Sequence, residues 1–79
     1  MANAHILVNC DAGYENQIIS ELKKFEFIRE AKEVYGMFNI IVKLESQNIQ
    51  ELRENISERI RKNKNIISTI TLIDSNNNL

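Results

Sequence analysis

Apolar residues recur along this chain with two periods, one of strands and one of helices. Ala4 to Cys10 (AHILVNC) is a short apolar run closed by Asp11-Ala12-Gly13, a strand entering a turn. Tyr14, Ile18, Leu22 and Phe25 follow at spacings of four, four and three, with Ile19 beside them. That spacing predicts one apolar stripe on a helix. Residues 30–36 and 38–44 read as two strands about Gly36-Met37, joined as a hairpin. Asn48-Ile49-Gln50-Glu51 has the form of a capping box, and Ile49, Leu52, Ile56 and Ile60 continue it as a second helical stripe. Lys62 to Asn65 is a polar turn, and Ile66 to Ile73 (IISTITLI) is a last strand. Asp74 to Leu79 lacks a packing pattern and is expected to fray. The order β-α-β-β-α-β predicts an α+β, ferredoxin-like fold: a four-stranded antiparallel sheet with two helices on one face. No proline, linker or long charge block divides residues 1–79, so a single domain is expected.

Alternation along the strands separates two sheet faces. Ile6, Val8 and Cys10 fall together, as do Phe38, Ile40, Val42 and Leu44, and these form the floor for the helices. The opposite face takes His5, Leu7 and Asn9, then Ile41. The last strand adds Ile67, Thr69, Thr71 and Ile73, or the alternate set, according to register. Tyr35 is expected to join them. Covering Leu7, Ile41 and Ile73 would contribute ~1.5–3 kcal/mol each. A homodimer through the open sheet face is the simplest cover, because two-fold symmetry needs one self-complementary patch. The competing expectation is a solvated face, since more than half of any surface is apolar atoms.

Composition strengthens the case for association. A chain of 79 residues and 9.2 kDa has a core that seldom supplies more than ~3–5 kcal/mol without a staple. Cys10 is the sole cysteine and His5 the sole histidine, so one chain builds neither a disulfide nor a Cys/His zinc site. A net charge of −1 gives no general pull toward nucleic acid or anionic membrane. The longest apolar runs, Ile6-Leu7-Val8 and Ile40-Ile41-Val42, are far shorter than the ~20 residues of a membrane span. A cytoplasmic protein with a reduced thiol is expected.

Catalysis finds few players. His5 and Cys10 fall on opposite faces of one strand, roughly 16 Å apart, which excludes a dyad within the chain. Asp11 sits in a turn and Asp74 in the tail. Gly13 and Gly36 are the only glycines, so no phosphate-cradling loop exists. No catalytic residue, metal or cofactor is expected. The stacking aromatics of an RNA-recognition sheet are missing from the central strands. Asn55-Ile56-Ser57 matches a glycosylation sequon only by chance, mid-helix. Arg59, Arg61, Lys62 and Lys64 complement a helix C-terminus and balance Glu51, Glu54 and Glu58, with a phosphate patch as the alternative.

The run Ala31, Val34-Tyr35-Gly36, Phe38-Asn39-Ile40-Ile41-Val42-Lys43 resembles the hairpin of the effector-binding (RAM) domain of Lrp/AsnC feast/famine regulators. Thr69-Ile70-Thr71 in the final strand is similar to that family's Thr-x-Thr pair. The resemblance spans about residues 4 to 74. It implies a stand-alone effector-sensing module that dimerises sheet to sheet, assembles into an octamer or similar, and binds an amino acid or similar small metabolite between subunits. Its partners would be itself and a full-length Lrp/AsnC-type regulator, with no direct nucleic acid and no membrane. The residues it points to are Tyr35, Gly36 and Asn39 on the hairpin and Thr69 and Thr71 on the strand. Three departures accompany it. Only three residues precede the first strand, so no helix-turn-helix is expected. Asn39 stands where the family commonly has Asp, which would weaken amino-acid binding by ~1–2 kcal/mol or signal a different ligand. Glu26-Phe27 and Lys64-Asn65 replace the usual Pro-Gly turns, Asn65 being tolerant of the left-handed conformation. The rival function is a ferredoxin-like structural or interaction oligomer without a ligand. An enzyme of the dimeric α+β barrel type is disfavoured by the lack of usable His and Asp.

Overall fold

In the computed structural model, which describes residues 1–75, six main elements run in the predicted order. They are β1 (Ala2–Cys10), α1 (Glu15–Leu22), β2 (Ile28–Glu33), β3 (Ile40–Ser46), α2 (Ile49–Asn55) and β4 (Ile66–Ile73). The sheet order is β2-β3-β1-β4 and every neighbouring pair is antiparallel. This is the ferredoxin-like arrangement. The tail expectation beyond residue 75 lies outside the described residues, while Asp74 is tied to β1 by its N–H, which donates to the Asn3 carbonyl at 3.0 Å.

The helix face is the core. Ile6, Val8, Ile40, Val42 and Leu44 from the sheet meet Ile18, Leu22, Leu52 and Ile60 from the helices, all essentially inaccessible to water. Asn48 caps α2, its side chain accepting from the Glu51 N–H at 2.8 Å. Beyond Asn55 the helix widens into a π turn over Ile56–Ile60, where the Arg61 N–H reaches back to the Ile56 carbonyl. The widening keeps both Ile56 and Ile60 buried.

Several sequence expectations need correction. The first helix stops at Leu22, and Phe25 lies in the turn that follows. There it stacks on Phe27 at 5.3 Å between centroids, which is why an aromatic stands at this turn. The hairpin strands are displaced toward the sheet's far end, leaving residues 34–39 as a loop. Phe38 and Tyr35 therefore belong to that loop, and Tyr35, expected on the sheet face, is 99% exposed. Asn65 does not adopt a left-handed conformation, because among the described residues only Gly13 and Gly36 have positive φ. Its N–H instead donates to the Asn63 side chain at 2.9 Å.

Ile73 is the correction with the largest consequence. Register pairs it with Ala4, and Thr71 with Ile6, and Thr69 with Val8, so all three lie on the helix face. Ile73 packs against the core edge and cannot centre the open face. The alternate set takes that place. Ile70 pairs with Leu7, which pairs in turn with Ile41, giving an apolar row across three strands. Leu72 stands beside His5 in the next row. Ile70 is 47% and Leu72 53% exposed in the single chain.

Candidate functional site

Asn39 ends the hairpin loop with three hydrogen bonds. Its carbonyl accepts from the Val34 N–H at 2.8 Å, and its own N–H donates to the Val8 carbonyl at 2.9 Å. Its side-chain Oδ1 accepts from the Cys10 N–H at 2.9 Å. Where the β1–β3 ladder runs out, this amide stands in for the missing backbone partner. The oxygen assigned by resemblance to a ligand is thus engaged in holding the end of β1. Replacing Asn39 with Ala should cost ~1–2 kcal/mol, because a part-buried N–H loses its acceptor. Asn39→Asp, which keeps an acceptor, should remain near the parent in urea unfolding. An Ala variant of undiminished stability would show the clamp to be inconsequential.

Gly36 follows Tyr35 at the loop's outer end with φ +142°, a conformation that side chains rarely adopt. A Cβ there would meet no atom within 4 Å, so the constraint on this position is backbone strain and not space. Tyr35 and Gly36 extend beyond the β2–β3 end of the sheet. Thr69 and Thr71 lie on β4, the opposite edge, with β1 and β3 between. Strand spacing alone puts β2 and β4 about 14 Å apart. A single chain therefore does not bring the five candidate residues together.

The two threonines instead look onto a pair of open grooves between β4 and the end of the second helix. One, of about 360 Å³, is lined by Arg53, Ile56, Ser57, Arg61, Thr71 and Ile73. The other, of about 320 Å³, is lined by Arg61, Ile66, Ile67, Ser68 and Thr69. Arg61 divides them, its Nε donating to Thr69 Oγ1 at 3.5 Å. Arg53, Ser57 and Arg61 recur every four residues, a spacing visible in the sequence but masked by the surrounding charges. The basic cluster read as one group is divided by the structure. Arg59 lies over the Phe25 ring at 5.7 Å, and Lys62 pairs with Glu58 at 2.7 Å, drawing that carboxyl below its usual range. Arg61 is left to the grooves.

Cys10 is buried beneath this end of the sheet. Burial first, and then the carboxylates of Glu15, Asp11 and Glu33, push its thiol pKa up. A raised folded value means the contribution to stability is intact below the thiol's ordinary pKa and is lost as pH climbs through the raised one. Alkylation of the native protein at neutral pH should accordingly be slow and become fast in denaturant. Equal rates in both states would contradict the burial. Among the described residues no three His, Cys, Asp or Glu side chains gather as a metal site, and no helix is long and apolar enough to cross a membrane.

Comparison with known proteins agrees with this fold. The family model of the Lrp/AsnC ligand binding domain matches residues 3–75. The crystal structure of hypothetical protein PHS023 from Pyrococcus horikoshii superposes with a TM-score of 0.91 at 36% identity, covering 94% of this chain and 89% of that one. E. coli AsnC shares the fold, with a TM-score of 0.87 at 23% identity over 99% of this chain and 53% of its own. Among curated proteins, homocitrate synthase of Sulfolobus acidocaldarius is 36% identical over 69 residues, 86% of this chain. The match spans only 14% of that enzyme, so its catalysis does not follow the likeness.

Proposed function

The chain belongs to the Lrp/AsnC ligand-binding domains, a regulatory and not an enzymatic family, and from that premise we propose that it is a cytoplasmic effector-sensing module. It binds an amino acid or similar small metabolite between subunits and modulates transcription indirectly, by assembling with itself or with a full-length relative. One observation carries this reading: four of the five candidate residues fall into two groups on opposite sheet edges, Tyr35 and Gly36 in an exposed loop and Thr69 and Thr71 beside the Arg61 grooves. A small ligand reaches both groups only where the loop of one copy meets the grooves of another. A sheet-to-sheet dimer buries the row Ile70, Leu7 and Ile41, with Leu72 and His5 beside it, and the loop-to-groove contact on the helix side of β4 is a further contact between copies.

A melting-temperature screen against the amino acids and their metabolites tests the proposal. Ligand bound only by the folded protein raises the midpoint progressively with concentration. Gly36→Val and Thr69→Val should each abolish the rise. A rise that survives both places the ligand elsewhere, and a complete absence of response favours a structural oligomer without a small-molecule role.

A further inference from the structure

The grooves beside β4 are rich in donors and lack a negative group. Their lining offers the Arg53 and Arg61 guanidiniums and the Ser57, Ser68 and Thr71 hydroxyls, over a floor of Ile56, Ile66 and Ile73. No Asp or Glu lines either one. Among the described residues Arg53 and Arg61 enter no ion pair, although Arg29, Lys32 and Lys62 all do. Arg61 Nε donates to Thr69 Oγ1 at 3.5 Å, which leaves both terminal nitrogens for a ligand. That fork matches the two oxygens of a carboxylate. An α-ammonium would have no anionic acceptor beside it, since no carboxylate lines either groove. An ammonium desolvated without a counter-charge is disfavoured.

We propose that the Arg61 grooves select a carboxylate metabolite with an aliphatic body and no α-ammonium, such as a 2-oxo acid, over the corresponding amino acid. This assignment rests on the effector-sensing reading and narrows its ligand class. Arg61 grips the carboxylate, Thr71 or Ser57 donates to the neighbouring carbonyl, and the isoleucines take the alkyl chain.

Calorimetric titration of the full chain with 4-methyl-2-oxopentanoate and with L-leucine tests it, the two probes differing only at Cα. The 2-oxo acid should bind about tenfold or more tightly than leucine, and Arg61→Gln should lose about as much of that affinity. Because Arg61 is exposed, the unliganded variant should melt like the parent. Leucine binding as tightly as the 2-oxo acid overturns the assignment while leaving the sensing role standing. Inorganic phosphate competing as well as the 2-oxo acid overturns it too, since the site would then read charge alone. Binding of neither organic probe, with no other metabolite shifting the melt, removes both the assignment and the sensing role.

Discussion

A Leu7→Asp protein should run as a 9.2 kDa monomer in size-exclusion chromatography with light scattering, where the parent should run as a dimer or larger. Leu7 sits mid-row between Ile70 and Ile41 on the face the helices leave bare. A carboxylate there must either stay in water or lose its hydration against apolar neighbours, and the second course costs several kcal/mol. The side chain is only half-buried within its own chain, so the fold should survive as judged by circular dichroism. Two-fold symmetry doubles the penalty, because each protomer brings the same charge. The ligand-induced rise in melting temperature should fall with the dimer, since assembly is proposed to bring the loop of one copy to the grooves of another. An unchanged elution volume would place the association surface elsewhere.

The second large effect concerns the core. Ile6 lies on a central strand between Val42 and Thr71 and is fully buried. Ile6→Ala should cost ~2–5 kcal/mol, from lost transfer energy and the cavity left behind. A chain of this size holds only ~3–5 kcal/mol when unassisted, so the variant should lose its cooperative urea transition at low protein concentration. Raising the concentration should restore part of it if assembly supplies the missing stability. A cost below ~1 kcal/mol would mean that the sheet floor is packed otherwise.

Both variants lie on β1, whose two faces are legible in the sequence. Leu7 and Ile6 were assigned to opposite faces from alternation alone, because β1 sets Ile6, Val8 and Cys10 against His5 and Asn9. The β4 segment IISTITLI offers no such contrast, since both parities mix isoleucine or leucine with hydroxyl residues. Its register is continuous from Ala4–Ile73 to Asn9–Ser68 and shifts only between Asn9 and Cys10, where Cys10 meets Ile66. A one-residue shift moves every side chain to the other face, which is how Ile73 went to the helices and Ile70 and Leu72 to the open side. The hairpin departs from its sequence pattern for a related reason. Val34 and Tyr35 are good strand formers, but the Asn39 hydrogen bonds to Val34, Val8 and Cys10 close the loop early.

Local periodicity and capping were enough to determine the order of elements, the two helix stripes, the floor made by β1 and β3, and the family resemblance carried by the hairpin and Thr-x-Thr. Each of these depends on residues a few positions apart, whose side-chain directions the backbone period sets. Only the tertiary structure decided which face β4 turns outward, that Asn39 commits its oxygen to Cys10, and that Arg61, bonded to Thr69 and without an ion pair among the described residues, stands at the grooves. Those outcomes depend on pairings between segments distant in the chain, where loop closure and side-chain packing, not local preference, choose among nearly equal alternatives.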